Sequence, residues 1–270
     1  MHFVTVATHS ERYLPTLESQ VTDKNHTLVK LGYGQKYQGH FMKDKLLLEY
    51  TQNLDKEEIV IFMDGFDTLF LGEPEELLKK FKNQNSKIVL SIENIGSLSF
   101  IHKAVFSKYK TKFINTGLFM GYAGELTKFL KEMYSKEFDL NSNQKTWSTF
   151  LNNSNYDISL DLKSELFLNH SFTTDNIFKV KNNRIILDTT ETPVFIQGNG
   201  QSNMDYILKG TKYYKIDKKN SILKNLKYNV KALFSLYYPI VTFYTVLIIL
   251  GIIILSTMIY LYIKNKKNNL

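Results

Sequence analysis

Short, wholly apolar runs alternate along this chain with stretches whose apolar residues return every three or four positions, which predicts strands separated by helices. Residues 3–7 read as a first strand, 11–19 as a helix opened by Ser10, and 27–31 as a second strand closed by Gly32 and Gly34. Helical spacing returns over 43–52, with leucines at 46, 47 and 48, and again over 74–81, where Pro74 suits a first turn. Between them Ile59-Val60-Ile61-Phe62-Met63 is apolar throughout, the pattern of a strand buried on both faces of a parallel sheet. Residues 87–91 and 157–160 read as further strands, with a helix over 144–151. The stretch 113–122 is an apolar strand broken by the polar triplet Asn115-Thr116-Gly117, followed by a helix to about residue 136. The pattern ends with a strand running into the glycine-rich turn Gln197-Gly198-Asn199-Gly200. Regular alternation of strand and helix predicts an α/β fold with an open, mostly parallel sheet flanked by helices, and argues against an all-β or bundle fold.

Composition adds an appendage. At 270 residues the chain can bury one substantial core. No charge occurs from residue 240 to 263, and Lys264-Asn265-Lys266-Lys267 follows at once, so 239–263 reads as a single transmembrane helix with tyrosines at 237, 238, 260 and 262 suited to the interface. The expected organisation is a globular domain over 1–208, a basic juxtamembrane segment over 209–238, the span, and a short basic tail over 264–270. Eleven lysines against Asp217 alone give residues 209–270 a charge of +10; the whole chain carries +8, which leaves −2 on residues 1–208. The basic excess therefore suits anionic lipid headgroups, and nucleic acid is not an expected partner. Without cysteine, disulfides, cysteine zinc sites and thiol nucleophiles are excluded. Residues 1–8 look like a strand rather than a leader, so a C-terminal tail anchor with the globular part on the cytosolic side is the simplest topology. Glycosylation acceptor patterns at Asn25, Asn152 and Asn169 are expected by chance in so Asn-rich a chain.

The chemistry concentrates where strands end. Asp64 and Asp67 follow the apolar run at the carboxyl end of its strand, where ligands of parallel sheets bind. Two carboxylates there suit one hard divalent cation shared with diphosphate oxygens; equally, Asp64 could merely close the strand and Asp67 cap the next turn. Asn115 offers an amide to a sugar hydroxyl at a bulge, or the triplet is a simple kink at Gly117. An aspartyl-nucleophile phosphohydrolase needs its two acids separated by one residue, whereas two lie between Asp64 and Asp67.

Taken together, six elements in order resemble the glycosyltransferase domain, of GT-A fold, found in procollagen lysyl hydroxylases and collagen glucosyltransferases. They are Val4-Thr5-Val6-Ala7-Thr8, Leu31-Gly32-Tyr33-Gly34, Met63-Asp64-Gly65-Phe66-Asp67, residues 76–81, Asn115-Thr116-Gly117 with Gly121-Tyr122-Ala123, and Gln197-Gly198-Asn199-Gly200. The resemblance spans roughly residues 2–210. It implies Mn2+ held by Asp64 and Asp67 against the diphosphate of a UDP-sugar. Thr8 and Phe66 would line the nucleotide, Asn199 the sugar-diphosphate pocket, and Lys43 would aim at the diphosphate unless it is a solvated helix residue. Gln197 stands where the family has histidine as third metal ligand; its amide oxygen can coordinate a hard cation less strongly. Residues 139–144 match an acidic stretch ending in Asp-Gln that contributes carboxylates near the reacting sugar. Here Asp139 alone stays acidic, with Asn143 and Gln144 at the stretch's end, and an Asn at 143 cannot act as a base. The resemblance implies a metal-dependent transferase moving a hexose from a UDP-sugar to an acceptor hydroxyl, with a protein hydroxyl as one candidate, and the uncharged stretch 240–263 makes the expected enzyme membrane-anchored. The alternative is an inert, tail-anchored nucleotide-sugar-binding module.

Overall fold

In the computed structural model the chain runs β1 (His2–Val6), α1 (Leu14–Thr22), β2 (Leu28–Leu31), α2 (Phe41–Thr51), β3 (Ile59–Met63), β4 (Thr68–Phe70), α3 (Pro74–Asn83), β5 (Ile88–Ile92), β6 (Ile114–Tyr122), α4 (Ala123–Tyr134), α5 (Asn143–Asn152), β7 (Ile158–Leu160), β8 (Phe167–His170), β9 (Phe178–Lys181), β10 (Arg184–Leu187), β11 (Phe195–Gly198) and α6 (Asp205–Leu208). The structure describes residues 1–93, 114–135, 143–170, 178–199, 202–214, 248–252 and 256. Met1–Asp217 forms one unit and Lys218–Leu270 another.

The expected α/β class holds. A central sheet has the order β2-β1-β3-β6-β5-β7, with helices packed against it. β1 pairs in parallel with β2 and β3, and β5 with β7, whereas β6 runs antiparallel to both β3 and β5. One reversed strand in six was not legible, because a strand buried on both faces shows the same unbroken apolar run whichever way it points. Val60 and Phe62 of β3 pack with Leu47 of α2, Phe129 of α4 and Trp147 of α5. Ile61 and Met63 pack with Leu17 of α1 and Phe81 of α3. Both faces are thus covered, and the polar residues at the strand ends become the places where chemistry can reach solvent.

A three-stranded sheet, β4-β11-β8, was not anticipated beyond β11, and its short strands leave almost no periodicity to read. β11 pairs antiparallel with β4 and in parallel with β8, placing Gln197 opposite Thr68 on one side and Asn169 on the other. The β9–β10 hairpin, also unanticipated, turns at Asn182-Asn183, both in the left-handed region, as its short turn demands.

Helix α1 begins at Leu14, not near Glu11: Arg12 has φ 51°, Tyr13 takes the N-cap position and Pro15 occupies the first turn, so Ser10 caps nothing there. At the polar triplet, β5 and β6 lose register: Leu90 faces Phe119 while Ser91 faces Asn115. The extra residues on β6 form a bulge at that triplet.

Among the described residues no helix is long and apolar enough to cross a membrane. The expected span over 239–263 lies largely outside them; residues 248–252 and 256 are helical, with Ile248, Ile249, Leu250 and Ile252 exposed.

Candidate functional site

β1, β3 and β5 point the same way, so the residues that follow them, Thr8, Asp64 and Glu93, leave the sheet at one edge. The bulge in β6 brings Thr116 and Gly117 to that edge, and the Asp64 backbone N–H donates to Gly117 O at 2.8 Å. β11 delivers Gln197 from the small sheet. Gly117 makes room for it, since a Cβ there would lie 2.3 Å from both Gln197 amide atoms.

Three of the expected ligands therefore converge. Gln197 Nε2 donates to Asp64 Oδ2 at 3.2 Å and to Asp67 Oδ1 at 3.3 Å. Gln197 Oε1 is buried and has no hydrogen-bond partner among the described residues. Lys43 is no solvated helix residue: its Nζ lies 3.2 Å from Asp64 Oδ1, donates to Thr116 O at 3.0 Å, and its side chain is 17 % exposed. Burial, and after it the neighbouring Asp64 charge, pushes the Asp67 carboxyl up to about 7, with Arg12, Gln197 and Lys43 pulling the other way. Two repelling acids beside an unpartnered amide oxygen form a hard-oxygen donor set that a divalent cation would relieve. No group of three or more His, Cys, Asp or Glu side chains suited to a metal occurs among the described residues.

Beside this set lies a second cluster with one member that sequence reasoning missed. Asn115 Nδ2 donates to Glu93 Oε1 at 2.9 Å, Asn199 Nδ2 donates to Glu93 Oε2, and Gln144 adds a third side-chain bond to the same carboxylate. Asn115 Nδ2 also reaches Asn199 Oδ1 at 3.2 Å, while Asn115 Oδ1 accepts from the Gly117 N–H at 2.7 Å and fixes the bulge. Burial raises Glu93 to about 7 against the pull of these three amides. The signal for it was available: an acid just past an apolar strand, as at Asp64.

Phe66 packs against His9 with the rings tilted by 44° and their centroids 5.2 Å apart, and Thr8 Oγ1 bonds His9 Nδ1 at 3.0 Å, which places Thr8 and Phe66 together around His9. Asn143 is not with them. Its amide donates to Asp44 of α2, beside the Trp147 Nε1–H at 3.1 Å from the same carboxylate, so it ties two helices together. Asp139 and Gly200 lie outside the described residues.

The PLOD GT domain family model matches residues 1–221. Procollagen-lysine,2-oxoglutarate 5-dioxygenase 1 of Gallus gallus is 34 % identical over 192 residues, covering 65 % of this chain and 25 % of the relative. Procollagen-lysine,2-oxoglutarate 5-dioxygenase 2 of Mus musculus is 28 % identical over 222 residues, covering 74 % and 30 %. The chain thus spans between a quarter and a third of the length of these curated relatives. Among solved structures, the galactosyltransferase LgtC in complex with donor and acceptor sugar analogues aligns at TM-score 0.40 with 11 % identity, over 63 % of this chain and 76 % of that one.

Proposed function

This chain belongs to the PLOD GT domain family, and on that premise we propose that it is a membrane-anchored glycosyltransferase that moves a hexose from a UDP-sugar to an acceptor hydroxyl with a divalent cation, Mn2+, at its centre. The observation that carries this reading is the meeting of Asp64, Asp67 and Gln197 beside the Lys43 ammonium. Those three side chains would hold the cation, which when bound supplies neutralisation of the charge developing on the departing diphosphate. Lys43, pinned by Thr116 O, adds a fixed positive charge on the same side without having to reorganise. Phe66 offers a ring face to the base, and stacking needs nothing more. Glu93, Asn115 and Asn199 present a carboxylate and two amides, groups that suit the hydroxyls of a hexose. That the acceptor is a protein is drawn from relatives named for procollagen lysine. The uncharged stretch 240–263 would hold the protein at a membrane as a single-pass tail anchor.

One observation favours the inert nucleotide-sugar-binding module instead: Asn143 carries no carboxylate and its amide is engaged by Asp44, so position 143 supplies no base. The two readings separate in one assay. Full-length protein with Mn2+ and UDP-glucose or UDP-galactose releases UDP if it is a transferase, and Asp64→Ala with Asp67→Ala abolishes the release. UDP bound without turnover above the double variant identifies the inert module.

A further inference from the structure

Gln197 is flanked across the small sheet by its two register partners, Thr68 on β4 and Asn169 on β8. Register partners on neighbouring strands present their side chains to the same face, so the three form a row. Each is almost wholly buried, with exposures of 0 % for Thr68, 3 % for Gln197 and 2 % for Asn169. Each also carries an oxygen with no hydrogen-bond partner among the described residues: Thr68 Oγ1, Gln197 Oε1 and Asn169 Oδ1. Three adjacent buried oxygens without donors are unusual, because such groups are nearly always satisfied in a folded protein.

The donor that two of them lack is already in the row, turned the wrong way. Gln197 Nε2 donates to Asp64 and Asp67, so its oxygen points away from the carboxylates and toward no donor. Asn169 cannot turn to help, since its Nδ2 donates to Ile92 O at the end of β5, which leaves Oδ1 as its free end. A glutamine amide, in contrast, inverts about a broad, two-fold terminal torsion. We propose that Asn169 is a positioning residue for Gln197: when a divalent cation binds, the Gln197 amide inverts, Oε1 turning to the cation and Nε2 donating to Asn169 Oδ1. The inversion partners the Gln197 and Asn169 oxygens and replaces the two N–H bonds to the carboxylates with the cation itself. It also makes an amide serviceable as a metal ligand, because a hydrogen bond at the far side of a ligand fixes its orientation. Asn169 rather than Thr68 takes the N–H, because an amide oxygen can only accept, whereas a threonine hydroxyl can rotate and donate.

This inference rests on the cation-dependent reading of the site, and the test keeps the two apart. Mn2+ affinity of the full chain is measured by electron paramagnetic resonance of free Mn2+, for the parent, Asn169→Leu, Gln197→Glu and the double variant. A lost outer-shell partner typically weakens metal binding by about 10- to 100-fold, and that loss is expected for Asn169→Leu in the parent. A glutamate at 197 has no N–H to hand over, so in the Gln197→Glu background Asn169→Leu leaves the affinity unchanged. Asn169→Asp keeps an acceptor while losing the bond to Ile92 O; it retains parent-like or tighter Mn2+ binding, and it carries the test if the leucine variant does not fold. Equal losses in both backgrounds, loss with Asn169→Asp, or loss with Thr68→Val instead of Asn169→Leu would overturn the role of Asn169. A parent protein that binds no Mn2+ would overturn the cation reading, and this role with it.

Discussion

At Gly117 one missing methyl group decides where the Gln197 amide can lie. Its backbone is not in the left-handed region, so alanine is sterically allowed by the chain itself. The conflict is with Gln197, whose amide atoms would stand 2.3 Å from the new Cβ. Gly117→Ala therefore displaces Gln197 while the strand stays formed: UDP release falls at least about tenfold, equivalent to ~1.4 kcal/mol of lost transition-state stabilisation, and the far-UV circular dichroism stays the same. Unchanged turnover would mean that the amide is not part of the working site. The strand-end acids were legible because five apolar residues pointed straight at Asp64. Glu93 follows Ser91-Ile92, a less abrupt exit from its strand, and only the shared direction of β3 and β5 brings it to the same edge. The lone oxygens of Gln197 and Asn169 could not be read in advance, since they depend on which strand lies beside which.

Between elements, the contact that most shapes the site is the one between α2 and α5. α2 carries Lys43 toward Asp64, α5 carries Gln144 toward Glu93, and the Asp44 carboxylate joins the two helices by accepting from Asn143 and Trp147. Both helices were legible from spacing to within two residues at each end. The clip was not, because Asn143 read as part of an active-site stretch and Asp44 as one more polar helix residue. Burial pushes Asp44 up to about 7, against the pull of Lys43 and its two donors. Since that is above its ordinary carboxylate value, the folded chain holds a proton that the unfolded chain has already released. The stabilisation is complete below about pH 4 and is lost as pH rises through about 7. Asp44→Asn removes this titration, so in thermal melts from pH 5 to 8 the variant loses less stability than the parent. Parallel curves would show that Asp44 does not titrate in this range.

For the whole molecule, residues 1–221 match the family model, and the α/β alternation that placed most of its strands was written in the sequence. What the alternation left out was the direction of β6 and the short strands β4 and β8 of the second sheet, where three or four residues hold too little pattern to mark a strand. Beyond the matched residues, the uncharged stretch 240–263 bears on location. Full-length protein should remain with membranes after alkaline carbonate extraction, and a chain ending at residue 238 should be released; extraction of both alike would remove the anchor. The central claim is that a cation held by Asp64 and Asp67 carries the donor's diphosphate. Calorimetric titration of UDP into the full chain, with and without Mn2+, tests it most directly: UDP binds only in the presence of Mn2+, and the Asp64→Ala, Asp67→Ala protein binds none under either condition. UDP binding that is indifferent to Mn2+, or that survives the loss of both aspartates, would contradict the account.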